Sequence, residues 1–244
     1  MNKYLYGIIE EPQFKTFEFR GLEGAEVYTV NSRDLAVVVS DIEPSEIDPT
    51  RKNVLAHTIV QDGILKKYTF IPMGFGIVAA SESNVLNLLE KNHSGLVSEL
   101  KKLSDKIEVE IKIFWDDKAL MSENQQLITS MQTRVKAASS AGEAQRLLTE
   151  AGMQVEKIIH SWKAKYVDQI YSSLKKLAID SRINNCSGIK MLLNASFLID
   201  RKTESAFVEQ VHNLDAKYQG NINFKYIGPL APYNFVNLKL EPGN

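Results

Sequence analysis

Ile107-Glu108-Val109-Glu110-Ile111-Lys112-Ile113-Phe114-Trp115 alternates apolar and charged side chains from its first residue to Ile113. Successive side chains of a strand point to opposite faces, so this alternation predicts a strand with one face buried and one wet. The elements after it set the fold. Residues 118–178 are helical in pattern, 179–184 and 189–199 read as strands around the turn cluster Asn184-Asn185-Cys186-Ser187-Gly188, and Asp200 precedes a helix. That helix repeats Phe207, Val211, Leu214 and Tyr218 at steps of four, three and four, and 221–227 closes with a strand. The order β, α, β, β, α, β is that of a ferredoxin-like split βαβ unit. The predicted class is therefore α+β, with a small α+β domain over 1–104 and a ferredoxin-like domain with long helices over 105–244, the second expected to fold by itself.

The longest periodic segment, Gly142 to Ala178, lies inside that second half. Ser140 and Glu143 have the spacing of a capping box, which satisfies two amide groups at a helix start. Beyond it Val155, Ile158, Ile159, Trp162, Tyr166, Val167, Ile170, Leu174 and Leu177 form one apolar stripe, with lysines and Asp168 off it. This predicts a core helix with its stripe buried, split from a preceding helix near 139–142 and bent or broken at Gly152.

In the first half, 3–10, 26–31 and 34–40 read as strands, the last two as a hairpin through Ser32-Arg33. The run Val37-Val38-Val39 suits a central strand. Asp48-Pro49 predicts a carboxylate-capped helix carrying Leu55, Ala56, Ile59, Val60 and Ile64 inward. Tyr68 to Ala79 reads as a strand interrupted by Pro72, Gly74 and Gly76, and 82–104 as a helix broken at Ser94-Gly95.

Composition excludes several classes of function. The 244 residues are 44% hydrophobic, enough for a sizeable core, and 29 basic against 30 acidic residues leave a net charge of -1. No overall field draws the chain to nucleic acid or to an anionic lipid membrane. The single Cys186 excludes an internal disulfide, and no stretch approaches the ~20 apolar residues of a membrane helix or has the form of a signal peptide. A soluble intracellular protein is expected.

No constellation of residues names a reaction, and neither a catalytic residue, a metal site nor a cofactor is predicted. His57, His93, His160 and His212 are isolated, without the paired spacing that puts two imidazoles on one helix face. Asp116-Asp117, where a strand ends and a helix begins, reads as a helix cap. Gly74-Phe75-Gly76 lacks the third glycine and the lysine of a phosphate loop. The strand at 189–199 lacks the basic-glycine-aromatic pattern of an RNA-binding sheet.

The last strand runs into Tyr226-Ile227-Gly228-Pro229-Leu230-Ala231-Pro232-Tyr233-Asn234-Phe235. This segment resembles the carboxy-terminal signature of the gas vesicle protein F and L family, GvpF/GvpL. The opening Tyr4-Leu5-Tyr6-Gly7-Ile8 and the stretch Ile71-Pro72-Met73-Gly74-Phe75-Gly76, preceded by the helix bearing His57, are similar to the same family. Ala231 stands where the family often has proline, and Gly74 where arginine is frequent. The resemblance implies a minor structural or assembly protein of the gas vesicle, without catalysis, that contacts the small hydrophobic shell protein and other accessory proteins. Its location would be the gas vesicle, at the gas-facing surface of the wall.

Two prolines three residues apart stiffen the tail, predicting that 229–232 leaves the sheet in extended form. Tyr233 and Phe235 are the candidate interaction surface, against the plainer reading that they anchor the tail on the core. A ligand-binding protein or enzyme on the ferredoxin-like fold is the alternative, and a pocket with converging polar groups would favour it.

Overall fold

The computed structural model describes residues 1–241 except 117, 119–121, 123 and 189, and says nothing of the side chains at 159 and 162. Asp117 and the start of the predicted strand at Ile189 thus lie outside the described residues. The chain forms two compact units, Met1–Glu108 with Gly228–Asn244, and Val109–Ile227. The tail, which the sequence reading leaves with the second half, therefore belongs with the first unit.

In the first unit β1 (Asn2–Glu10), β2 (Thr16–Arg20), β3 (Glu26–Ser32) and β4 (Leu35–Ile42) precede helix α1 (Arg51–Leu65). Then come β5 (Phe70–Pro72), β6 (Val78–Ala79) and α2 (Glu82–Leu103). The sheet order is β2-β3-β4-β1-β5, with β6 also on β1. One edge of β1 pairs with β4 antiparallel along its length, from Asn2 with Ile42 to Glu10 with Leu35. Its other edge is shared: Gly7 to Ile9 pair with β5, and Lys3 and Tyr4 with β6. The segment 73–77 between those short strands therefore loops out beside Tyr4 to Tyr6, held by bonds from Met73 N–H to Tyr6 O (3.0 Å) and from Leu5 N–H to Ile77 O (3.0 Å).

Both faces of this sheet are covered, which is why β1 and β4 are buried almost without alternation. Tyr4, Tyr6, Val27, Val38, Val60, Ile64 and Phe70 form the core under α1. Alternation sends Val37 and Val39 to the opposite face, where α2 packs on β1, β3 and β4. Gly7 cannot be another residue, because a Cβ there would lie 2.1 Å from the ring of Phe70.

Several expectations change here. Thr50, not Asp48, caps α1 by accepting from Asn53 N–H at 3.2 Å. The buried face of that helix is His57, Val60, Gln61, Ile64 and Leu65, whereas Leu55 and Ile59 point to solvent. The apolar letters misled because the inward face carries two polar residues that bond to the sheet edge. No break occurs at Gly95; α2 is continuous over 22 residues. β2, unforeseen, is the outermost strand of the sheet path and half exposed, without a strong apolar run to announce it.

The second unit holds most of β7 (Lys106–Trp115), followed by α3 (Gln125–Lys136), α4 (Ala141–Trp162), a π-helical turn at Lys163–Val167 and α5 (Asp168–Lys175). The hairpin of β8 (Asp180–Ile183) and β9 (Met191–Asp200), then α6 (Glu204–Lys217) and β10 (Ile222–Leu230), complete it. Its four strands are ordered β10-β7-β9-β8. The class is α+β with antiparallel pairing throughout the first sheet and in the β8-β9 hairpin.

Half of the capping box forms as expected, with Glu143 N–H donating to Ser140 Oγ at 3.2 Å, while the Glu143 carboxylate reaches one residue further back and accepts from Ser139 N–H at 2.9 Å. Gly152, however, neither bends nor breaks α4; the irregularity falls eleven residues later, at the π turn. One extra residue in that turn shifts the phase of the stripe. Tyr166, Ile170 and Leu174 are buried, while Val155 and Ile158 are partly exposed and Leu177 is exposed. Among its described side chains the stripe is thus buried only near its end. Asp200 makes no side-chain cap bond, and β10 continues through Pro229 to Leu230 before the tail leaves it.

Candidate functional site

The three stretches singled out in the sequence, Tyr4 to Ile8, Ile71 to Gly76 and the tail, meet in the first unit around His57. β1 supplies Tyr4 and Tyr6 on one face; α1 supplies His57 and Gln61, one turn apart; the loop supplies Met73 to Gly76; the tail supplies Tyr233. The rings of Tyr4 and His57 meet edge to face at 5.6 Å, Tyr6 stacks on His57 at 5.7 Å, and Phe75 closes the cluster, 5.7 Å from His57.

The polar atoms form one directed chain. Gly76 N–H donates to Tyr4 Oη (3.1 Å), and Tyr4 O–H donates to His57 Nδ1 (2.9 Å). His57 Nε2–H then donates to Tyr233 Oη (3.2 Å), and the Tyr233 hydroxyl donates towards Gln61 Oε1 and Met73 O, the latter at 2.9 Å. Gln61 Nε2 donates to Tyr6 O (2.7 Å) and Met73 O (2.9 Å), so one amide joins helix, strand and loop. This assignment of protons satisfies each partner with His57 neutral in its Nε2–H form.

Burial has the same consequence. It drives the imidazole of His57 down to about 4 and pushes the phenols of Tyr4 and Tyr233 up to about 12. None of these groups changes charge near neutrality, which suits a hydrogen-bonded fastening.

The tail continues along the first unit. Asn234 N–H and its side-chain amide both donate to the buried carboxylate of Glu108 (2.9 and 2.5 Å), and Phe235 is 1% exposed. The two candidate interaction residues therefore separate. Phe235 is an anchor in the core with no surface to offer, which corrects its place in the candidate interaction surface. Tyr233 turns its hydroxyl inward, yet the residue as a whole stays 44% exposed, on the side of α1. The outer side of α1 presents Val54, Leu55 and Ile59, and Ile77 of the loop is also exposed.

Elsewhere the structure disperses the remaining candidates. His93 contacts Asp34 at 2.5 Å, and Asp116 accepts from Lys118 N–H at 2.9 Å, as a cap would. In the second unit a cleft of about 530 Å³ is lined by Gly152, Val155, Glu156, His160, Lys163, Gly188 and Met191. Its Glu156 and His160 are exposed members of one solvated helix face, not groups buried to converge on a ligand. Among the described residues no group of three His, Cys, Asp or Glu could hold a metal ion, and no helix is long and apolar enough to cross a membrane.

A sheet whose edge loop and carboxy-terminal tail are tied through a buried histidine is a scaffold built around its own terminus. A family model described as gas vesicle synthesis protein GvpL/GvpF matches residues 2–237. The chain belongs to that family. It is 29% identical over 241 residues to gas vesicle protein F of Nostoc sp., covering 96% of this chain and 98% of the relative. It is 28% identical to gas vesicle protein F1 of Halobacterium salinarum, covering 98% and 94%. The crystal structure of GvpF from Anabaena sp. PCC7120 superposes with a TM-score of 0.78 at 25% identity, over 98% of this chain and 97% of that one. The crystal structure of GvpF from Microcystis aeruginosa gives a TM-score of 0.76 at 22% identity, a likeness of fold. Membership ties the chain to gas vesicles.

Gln61 and Glu108 escaped sequence reasoning, and Tyr4 and His57 entered it within the resemblance, without their roles. One signal was present: His57 and Gln61 stand four residues apart on one helix face, beside Val60 and Ile64, where polar residues need a buried partner.

Proposed function

We propose that this chain is a minor structural or assembly protein of the gas vesicle that contacts the small hydrophobic shell protein. The contact surface is the outer side of α1, Val54, Leu55 and Ile59, with the ring of Tyr233 beside it. The observation that carries this reading is that α1 turns aliphatic side chains outward while its inward face is already satisfied. A shell subunit must keep its apolar surface from water until it is inserted, and such a face can cover it. An apolar outward face also suits the gas-facing surface of the wall, where no water competes. The β10-β7-β9-β8 order, which is fourth-first-third-second in chain sequence, supports reading the second unit as ferredoxin-like. No catalytic step is proposed.

The test is capture of purified shell protein by the full chain. Binding is expected to survive about 1 M salt, where the Debye length is about 3 Å, and to be lost in a folded Leu55→Glu, Ile59→Glu double variant. Capture unaffected by that double substitution, or abolished by moderate salt, overturns the assignment.

A further inference from the structure

The β10-β7-β9-β8 sheet has two edges of different make. β10 carries the exposed Lys225 and also Pro229, residues that discourage a further strand from pairing. β8, Asp180-Ser181-Arg182-Ile183, has neither lysine nor proline, and Ile179 just before it and Ile183 at its end are 51% and 60% exposed. The phase of the ladder fixes which main-chain groups this edge offers. Asn184 N–H donates to Asn194 O at 2.7 Å, and the same register sets Arg182 opposite Ser196 and Asp180 opposite Leu198. Successive residues direct their main-chain groups to opposite sides of a strand, so Asp180, Arg182 and Asn184 bond towards β9 while Ser181 and Ile183 face outward. The amide of Ser181 agrees with this: it donates to the carboxylate of Asp180, at 2.8 Å.

Read in reverse, the edge is complementary to itself. Ile179-Asp180-Ser181-Arg182-Ile183 has isoleucine at both ends, an acid and a base at mirror positions, and serine at the centre. Laid antiparallel on the same strand with Ser181 opposite Ser181, it sets Asp180 against Arg182 twice and Ile179 against Ile183 twice. Ser181 faces outward, so the central pair can exchange two N–H···O bonds across a twofold axis. Asp180 and Arg182 then fall on the pairs without main-chain bonds, where Cα atoms lie only about 4.5 Å apart. The neighbouring registers of the same phase, two residues along in either direction, set Asp180 against Asp180 or Arg182 against Arg182, and like charges directly opposite are destabilising. Charge and hydrogen-bond phase therefore select the same register.

We propose that β8 is a dimerisation edge, on which β8 of a second copy of this chain adds as an antiparallel strand and joins two four-stranded sheets into one. In the single chain the Asp180 carboxylate holds the outward amide of Ser181. A second copy supplies both groups with partners, a main-chain carbonyl for the amide and the Arg182 guanidinium for the carboxylate. The same step covers Ile179 and Ile183 of both copies, which half or more of their surface leaves to water in the single chain. The pairing is short, so the dimer is weak and forms where the chain is concentrated. It does not depend on the α1 surface assigned to the shell protein.

Charge exchange in the full chain tests the register. Sedimentation of the wild type at about 0.1 to 1 mM is expected to show a monomer–dimer equilibrium. Arg182→Asp sets acid against acid and Asp180→Arg sets base against base, so each variant by itself should dimerise about tenfold more weakly or not at all. Mixed in equal amounts, the two variants again meet with opposite charges at both positions and should form a heterodimer as strong as the wild-type dimer, a rescue that damage to folding cannot produce. Each variant must first show native circular dichroism and cooperative melting. If Arg182→Asp melts early, Ile183→Lys, at an exposed site, takes its place and should abolish the dimer by putting a lysine on the edge. A wild type that stays monomeric over that range, folded variants that dimerise as it does, or a mixture without rescue overturns the proposal. Capture of the shell protein on β8 by a chain that remains monomeric gives the edge a different occupant and overturns it as well.

Discussion

Helices α2 and α4 are each 22 residues long and both are amphipathic, but they end in opposite situations. α2 buries Val85, Leu89, Leu96, Leu100 and Leu103 against the sheet of the first unit; of the described side chains of α4 only Leu147 is buried, and Leu148 and Met153 are exposed. The companion of α4 is α3, itself a twelve-residue helix with no buried residue, so the pair lean mainly on one another. Periodicity writes an apolar stripe, but burial requires a second surface, and a sheet face supplies far more of it than one short helix. The first unit is accordingly where substitutions should be felt, and the α3-α4 pair where they should not.

The largest expected effect is at the tail anchor. Phe235→Ala removes a fully buried ring from the core of the first unit and should cost about 3–5 kcal/mol in urea unfolding. Leu148→Ala in α4 should stay within about 0.5 kcal/mol, the range for surface substitutions. Equal losses at the two sites would break the contrast.

Next comes the dependence on pH. His57 is held near 4 in the folded chain, against about 6.5 when exposed, so between these values the unfolded state binds the extra proton. The stabilising effect of neutral His57 is complete above about pH 6.5 and is lost as pH falls towards 4, amounting to roughly 3 kcal/mol over the window. Asp34 and Asp41, whose carboxyls are held below the usual range, contribute in the same direction only at lower pH. Subtracting the pH profile of a folded His57→Gln variant from that of the wild type isolates the histidine. A flat difference between pH 4 and 6.5 would show that the imidazole is not buried neutral.

The smallest effect sharpens the comparison most. Gly152 in α4 has open space where a methyl group would stand, so Gly152→Ala should stabilise by up to about 1 kcal/mol. Gly95→Ala in α2 has the same intrinsic gain, but Leu238 stands in the way, so thermal melting should show no gain or a loss. Matching gains at both glycines would mean that the tail does not rest on α2.

Where neighbours in sequence suffice, the structure was legible from the letters. The alternation from Ile107 to Ile113 became β7, with Ile107, Val109, Ile111 and Ile113 all fully buried; the hairpin of β3 and β4, the Ser140 to Glu143 cap and the buried row Phe207, Val211, Leu214 and Tyr218 all formed as spaced. These features rest on hydrogen bonds and side-chain periods that span a few residues, and such periods are written directly in the chain. The tail's part was not. Tyr233 reaches His57 across 176 positions and Glu241 reaches Asn92 across 149, so Gln61, Asn92, Gly95 and Glu108 look like ordinary helix or strand residues until folding brings their partners. The alternation of Val236 to Glu241 says only that the segment is extended with one apolar side. That it lies on a helix instead of in a sheet was decided by tertiary structure, because what an extended chain pairs with depends on which donors and acceptors the rest of the fold leaves beside it.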